Sequence, residues 1–403
     1  MKFAENPKRT SPALPEDLRR RADERFMALA FAEARAAKGR TLPNPAVGAV
    51  VVKNGRVVGR GGTQPAGQAH AEVVALRRAG ARARGATVFV TLEPCNHFGR
   101  TPPCSRALIE AGVTRVVIAC PDPHVKAGGG AATLRRAGLS VEVAAPGTPW
   151  RLEAEDLYAG FFFWLRHGRP RIVVKIAQSA DGRINARPGV ETPLTGPLAR
   201  RFTHGLRARA DAILVGGATV RADDPDLTPR LSPKRPGETN PPAPAVFILT
   251  RGGRIDPGLK VFGRPRTPRT HVIGPKKPVN LPEWVDFSVL PASVAAGKPP
   301  RDSSGPRASS ASSRALARAM LRIFKDLGHH EILVEGGRAV WTPFLEAGLC
   351  DELLVLTAPV LLPAGEAWAK DLGPTWVKPL VFHRFTALDR DGLIEFRRRE
   401  TPR

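Results

Sequence analysis

With 403 residues, 42% of them hydrophobic, the chain is long enough for two domains with their own cores. No run approaches the ~20 apolar residues of a membrane-spanning helix, and four cysteines are too few for a disulfide scaffold. The net charge of +25 would steer phosphorylated ligands towards the protein. It does not point to nucleic acid, because no Lys/Arg block is interleaved with aromatics and one Tyr and six Trp leave little for base stacking; a solvated Arg-rich surface is the simpler reading.

The first twenty residues are polar and broken by proline, without the apolar core of a secretory signal, and read as a disordered tail on a cytoplasmic protein. Helical periodicity covers 16–38. Residues 47–52 and 56–62 flank Asn54-Gly55, which suits the type I′ turn of a hairpin. A helix is expected at 71–79, strands at 87–91, 115–119 and 140–144, and helices near 105–111 and 131–137, so that 21–147 reads as a layered α/β domain. A connecting helix at 150–166 occupies a linker over 148–169, punctuated by Arg169-Pro170. A second α/β domain follows over 170–400. Its expected strands are 172–177, 212–215, 245–249, 331–334 and 352–357, its helices 197–208, 313–327 and 339–347, and a hairpin through 389–392 closes it. Residues 229–244 and 291–313, rich in Pro, Ser and Gly, read as flexible insertions.

The chemistry of the first half lies in three short segments. His70-Ala71-Glu72 opens a helix, Glu93-Pro94-Cys95 follows a strand, and Cys104 comes after eight intervening residues. One imidazole and two thiolates make a sound zinc set with a fourth position left for water. The metal makes that water nucleophilic enough to attack an aromatic C–NH₂ carbon, and Glu72, a carboxylate that is not a ligand, is placed to carry protons to the leaving amine. Each fragment alone is weak; in this order, on these elements, they form a strong signal against the alternative of a surface histidine and two buried cysteines. The Cys-x8-Cys gap exceeds the Cys-x2-Cys of most such deaminases. It holds His97, Arg100 and Thr101 close to the metal, Arg100 being suited to a phosphate, although each could simply satisfy its loop. Cys120 and Cys350 lie on apolar segments and read as core.

The stretches Thr41-Leu42-Pro43-Asn44-Pro45-Ala46-Val47-Gly48, Ala66 to Val73, and Glu93-Pro94-Cys95 through Thr101-Pro102-Pro103-Cys104 resemble the bifunctional deaminase/reductase of riboflavin biosynthesis. The resemblance implies a cytidine-deaminase-like three-layer domain, zinc held by His70, Cys95 and Cys104, Glu72 as proton carrier, and substrate contacts from Asn44, His97, Arg100 and Thr101. It continues through Lys175 to Arg183, Leu206-Arg207-Ala208, Asp211 to Gly216, Ala218 to Thr228, Val334-Glu335-Gly336-Gly337 and Asp351-Glu352-Leu353. That half implies a dihydrofolate-reductase-like α/β domain using NADPH. Lys175 is then the catalytic residue near the reacting sugar, and Leu227 and Glu335 lie on the substrate side. Gln178 lies on the cofactor side.

Read physically, Gly216-Gly217 and Gly336-Gly337 each follow a strand and precede a helix, which permits close phosphate approach, though a plain tight turn competes. Thr219 and Asp223 suit a cofactor ribose or amide. Arg207 and Arg230 are candidates for the substrate phosphate, with a solvated face as the competing reading. Five positions depart from the family pattern: Thr63 stands where the family has His, Ala69 where it has the Pro before the zinc-ligating His, His124 falls in its Asp-Pro-Asn-Pro stretch, and Glu191 and Pro193 replace its Ser-x-Trp. The expected function is zinc-dependent deamination of 2,5-diamino-6-(ribosylamino)pyrimidin-4-one 5′-phosphate, then NADPH-dependent reduction of ribosyl to ribityl, in a homo-oligomer without membrane or nucleic-acid partners. The alternatives are a deaminase of another nucleotide or RNA base, or a paralogue with altered or lost reductase activity that binds nucleotide.

Overall fold

The computed structural model describes residues 16–187, 192–231, 242–252, 255–263, 269–291, 294, 306–370, 372 and 376–399. The chain forms two units. The first comprises residues to Arg35 and Val47–Ala154, and the second Ala36–Ala46 and Glu155–Arg403. Among the described residues no helix is long and apolar enough to cross a membrane.

In the first unit the strands are β1 (Gly48–Lys53), β2 (Arg56–Gly62), β3 (Thr87–Val90), β4 (Arg115–Ile118) and β5 (Ser140–Val143), in the sheet order β2-β1-β3-β4-β5. Asn54 and Gly55 hold φ of 49° and 71°, the two left-handed positions of a type I′ turn. β3, β4 and β5 run parallel, as their connections require: α3 (Cys104–Glu110) and α4 (Gly130–Arg136) cross over between them. Helices α1 (Glu16–Ala37) and α2 (Ala71–Ala79) pack against the hairpin with no room for a side chain. A Cβ on Gly48 would lie 1.9 Å from the Ala30 carbonyl oxygen, and one on Gly59 2.2 Å from that of Ala75. Met27, Phe31, Phe89, Leu108, Ile118 and Leu134 fill the core. α1 starts at Glu16, inside the stretch expected to be a tail; residues 1–15 lie outside the described residues.

The expected single connecting helix is two, α5 (Pro149–Leu157) and α6 (Ala159–His167). They break at Tyr158, which leaves helical geometry (φ −100°, ψ 7°); its buried ring donates its hydroxyl to the Ala46 carbonyl, 3.2 Å away.

The second unit contains β6 (Arg171–Ser179), β7 (Ala212–Gly216), β8 (Ala245–Leu249), β9 (Thr270–Gly274), β10 (Asp286–Val289), β11 (Glu331–Glu335), β12 (Glu352–Ala358), β13 (Leu380–Leu388) and β14 (Asp391–Arg398). The sheet order is β10-β9-β8-β7-β11-β6-β12-β14-β13. The seven strands from β10 to β12 are parallel, and the C-terminal hairpin adds an antiparallel edge. Its central strands carry apolar residues on both faces, as a doubly covered parallel sheet requires. One face packs Ile172, Phe247, Phe324 and Phe344, the other Val173, Ile213, Leu333 and Leu356. The helices are α7 (Pro197–Arg209), α8 (Gly217–Asp223), α9 (Pro306–Asp326) and α10 (Arg338–Glu346). α9 begins seven residues before the expected helix, at a proline suited to the first helical turn. The insertions expected at 229–244 and 291–313 fall largely outside the described residues.

β11 sits between β6 and β7, with Lys175 opposite Glu335 and Leu214 opposite Val334. The carboxyl ends of these three strands therefore bring Lys175, Gln178, Glu335 and Gly216 together, where open α/β sheets place their ligands.

Just before β11, His329 is 8% exposed and packs edge-on to Phe247. Burial pushes its imidazole down to about 4, against an opposing pull from Asp211; His330 and His271 also lie near. A depressed histidine contributes stability that is full above its unfolded value near 6.5 and is lost as pH falls towards 4, about 2 kcal/mol by pH 5. Unfolding followed by tryptophan fluorescence, which reports mainly this unit because every Trp but Trp150 lies in it, should therefore show stability falling between pH 7 and 5. The fall should shrink in His329→Leu; an unchanged slope in that variant would remove His329 as the cause.

Candidate metal centre and cofactor crevice

His70 is the N-cap of α2 but makes no capping bond with its side chain, which leaves the ring free to turn away from its helix. Its Nδ1 lies 3.5 Å from Cys95 Sγ and 3.4 Å from Cys104 Sγ, and the three candidate ligand atoms are mutually within 4.8 Å. Zinc bonds of ~2.3 Å to sulfur and ~2.0–2.1 Å to nitrogen, at tetrahedral angles, put such atoms about 3.6 Å apart, so the residues fit the ion. Cys104 opens α3, and its N–H points at Cys95 Sγ 3.4 Å away. A helix start favours thiolate there. The pair shares charge: Cys95 is drawn down to about 4 by hydrogen bonds from Cys104 and His70, while Cys104 is driven up by Cys95 and by burial. The bond to Cys95 raises His70.

Glu72 occupies the first turn of α2 and is 3% exposed. Burial, reinforced by the charge of Cys95, lifts its carboxyl to about 7. A buried acid that titrates near neutrality beside a metal set can take a proton and return it.

The surrounding loops are tied to the ligands. The buried carboxylate of Glu93 accepts from Asp122 N–H (3.1 Å) and Ala131 N–H (2.8 Å). Asn96 N–H donates to the Ala127 carbonyl at 2.9 Å, and the Asn96 side chain accepts from Ser105. His97 has a buried Nδ1 without a partner among the described residues. Arg100 is exposed and Thr101 half-buried on the same loop. Thr63 is buried, its hydroxyl accepting from Val47 N–H at 3.2 Å. Asn44 lies in the segment that groups with the second unit, on a turn closed by Asn44 N–H to the Thr41 carbonyl and Thr41 Oγ1 to the Asn44 carbonyl, both 2.9 Å.

In the second unit Arg207, from α7, forks onto Glu335 with bonds of 2.8 and 2.9 Å, and Lys175 Nζ stands 3.7 Å from the same carboxylate. Burial alone would raise Glu335, but Arg207 and then Lys175 outweigh it and hold the group to about 2. Burial lowers Lys175 against the pull of Glu335. The guanidinium of Arg207, read as a phosphate candidate, is thus engaged by a carboxylate. Arg230 is 60% exposed on its side chain and pairs with Asp226. Leu227 has a buried side chain and φ of 56°.

Gly336 and Gly337 have φ of 75° and 79°, and a Cβ on Gly336 would lie 2.8 Å from Thr219; the glycine pair gives the backbone of the α10 start a close approach to α8. Gln178 donates to Thr357 Oγ1 at 3.1 Å while its buried Oε1 has no partner among the described residues. Asp223 ends α8. A hollow of about 280 Å³ lined by Gly217, Arg221, Thr250 and Asp256, among others, adjoins the α8 start. The part of Arg221, Thr250 and Asp256 in this hollow, and the loop-anchoring role of Glu93, escaped the sequence reading, because they come from pairing with residues far along the chain. Glu191 lies outside the described residues; beside it Thr192 Oγ1 accepts from Ala186 N–H at 2.9 Å, and Pro193 follows.

Residues 170–384 match the family described as RibD C-terminal domain, and 20–120 the cytidine and deoxycytidylate deaminase zinc-binding region. The chain is 37% identical to the riboflavin biosynthesis protein RibD of Aquifex aeolicus, across 86% of this chain and 89% of that one. It is 39% identical to the RibD of Escherichia coli, across 84% and 88%. It resembles the solved Acinetobacter baumannii RibD with a TM-score of 0.67 at 33% identity, covering 94% of this chain and 99% of that one. A Thermotoga maritima diaminohydroxyphosphoribosylaminopyrimidine deaminase/5-amino-6-(5-phosphoribosylamino)uracil reductase matches with a TM-score of 0.68 at 29% identity and the same coverage. The fold class is the expected one, a cytidine-deaminase-like domain followed by a dihydrofolate-reductase-like domain.

Elemental analysis should find one zinc per chain. Cys104→Ser should lose it, whereas Glu72→Gln, which removes no ligand, should keep it; zinc loss in Glu72→Gln would place that carboxylate in the ligand set instead.

Proposed function

Because the chain belongs to the RibD family of bifunctional deaminase/reductases of riboflavin biosynthesis, we propose that its two sites act in turn on one phosphorylated pyrimidine. The first removes an amine from 2,5-diamino-6-(ribosylamino)pyrimidin-4-one 5′-phosphate by hydrolysis, releasing ammonia. The second reduces the ring-opened ribosyl group at C1′ to ribityl. The observation that carries the reading is the convergence of His70, Cys95 and Cys104 beside buried Glu72.

Zinc, held by those three ligands, supplies the Lewis acidity that makes water a nucleophile near neutral pH. Glu72 takes the proton from that water and passes it to the leaving amine. His97, with its orphaned Nδ1, offers a polar contact to the substrate, and Asn44, Arg100 and Thr101 join it by their places in the motif. Arg100, exposed and cationic, suits the phosphate.

In the reductase NADPH supplies the hydride. Gly336, Gly337, Thr219, Asp223 and Gln178 line its cradle, and the hollow beside Arg221 suits a phosphate at its far end. Lys175 acts at the reacting sugar, Glu335 and Leu227 face the substrate, and Arg207 holds Glu335 in place. Arg230 is the better placed of the two arginines for the substrate phosphate, since its partner Asp226 is itself half-exposed and exchangeable with a stronger anion. We place the enzyme in the cytoplasm as a homo-oligomer.

Zinc-loaded protein given the diaminopyrimidine should yield a product about one mass unit heavier, and with NADPH a further gain of two. Glu72→Gln should slow the first step about 10²–10⁴-fold and leave reduction of the deaminated intermediate intact. Lys175→Met should do the converse. Deamination without any reduction would overturn the second half of the reading.

A further inference from the structure

Three elements of the second unit carry the residues assigned to the reductase substrate: α7 with Arg207, β11 ending at Glu335, and residues 224–231 after α8, with Leu227 and Arg230. Arg207 ties α7 to β11 through Glu335. A different residue ties α7 to the loop. His204 stands one turn before Arg207 on the same helix, so the two side chains share a face. Its Nδ1 accepts from the Arg230 backbone N–H at 3.1 Å.

Within itself the loop is already shaped. The Asp226 carboxylate accepts from Thr228 N–H at 3.0 Å and pairs with the Arg230 guanidinium, and Leu227 between them takes φ of 56° with its side chain buried. Burial of Leu227 seats the middle of the loop; its far end, which bears Arg230, is held to α7 by His204. A ring nitrogen that accepts must carry no proton. Burial, followed by the charges of Arg207 and Arg230, pushes the His204 imidazole below its ordinary value, against the Thr228 backbone and Glu335, which favour the charged ring. The cations around the ring thus keep it in the form that holds the Arg230 backbone in place.

We propose that His204 is a positioning residue of the reductase: by fixing the backbone of Arg230 to the helix that carries Arg207, it sets where the Arg230 guanidinium meets the substrate phosphate. This rests on the reading of Arg230 as the phosphate ligand given above. The Arg230 side chain is 60% exposed. A long exposed side chain rooted in a fixed backbone has less freedom to lose when it grips an anion, so the clamp acts on substrate affinity and not on hydride transfer.

The test uses the zinc-loaded full chain with NADPH and the deaminated intermediate. His204→Leu removes the acceptor, whereas His204→Asn keeps an oxygen near the place of Nδ1. With one hydrogen bond lost, KM should rise about tenfold in His204→Leu with kcat little changed, and return to within about twofold of wild type in His204→Asn. Because the residue acts through Arg230, Arg230→Ala/His204→Leu should be no worse than Arg230→Ala alone. NADPH affinity, read by quenching of protein fluorescence, should be the same in both His204 variants as in wild type. An unchanged KM in His204→Leu, no recovery in His204→Asn, or losses that add in the double variant would overturn the positioning role. So would a His204→Leu protein that loses NADPH affinity as well, since the residue would then support the whole unit. An unchanged KM in Arg230→Ala would instead overturn the reading of Arg230 as the phosphate ligand, and the role of His204 with it.

Discussion

A carboxylate taken out of water has to be matched by cations or amide donors, or give up its charge, and each site in this protein is organised by how that demand is met. Glu335 is the clearest case. It ends the central strand β11, 5% exposed, and the two bonds from Arg207 with Lys175 at 3.7 Å hold it ionised. Removing one partner from such a buried set costs about 3–5 kcal/mol, so the α7 arginine and the β6 lysine are fixed relative to β11. The crevice at the strand ends is set by the same ion set that supplies its chemistry.

The first unit meets the demand in two other ways. Glu93 is satisfied by backbone amides, which ties the strand that leads to Cys95 to both ends of the loop before α4. Among the described residues no arginine or lysine pairs with Glu72 as Arg207 pairs with Glu335, and burial lifts it to about 7 against the opposing charge of His70. Three buried glutamates with three sets of partners give an ionised anchor, a loop clamp and an acid–base group. Residue type alone would not separate them; their partners do.

This also explains what the sequence could and could not reveal. His70, Cys95, Cys104 and Glu72 were legible because zinc chemistry demands those residue types at positions fixed by short elements, and Asn54-Gly55 because a type I′ turn demands two left-handed residues. The insertion of β11 between β6 and β7 was not, since nothing local records it. Nor was the pairing of Arg207 with Glu335, 128 residues apart, so that Arg207 read as a free phosphate ligand. Tyr158 divides α5 from α6 through a bond to Ala46, 112 residues away, and no periodicity within 150–166 betrays it. Local geometry can be read from the chain; long-range satisfaction of polar groups cannot.

The departures from the family pattern follow the same logic. Thr63 turns inward and satisfies the Val47 amide, so the change from histidine leaves no buried donor unmet, and whatever that histidine contributed outside the backbone is absent. His124 also meets a backbone need, accepting from two amides, but it brings a ring that asparagine lacks and sets it parallel to His97. A substitution that fulfils the old structural duty leaves the loop free to vary. The ligands themselves have no such freedom, because any change in their atoms alters the metal geometry directly. Variation near this centre is therefore expected in the loops that face the substrate, with the three ligands and Glu72 held constant.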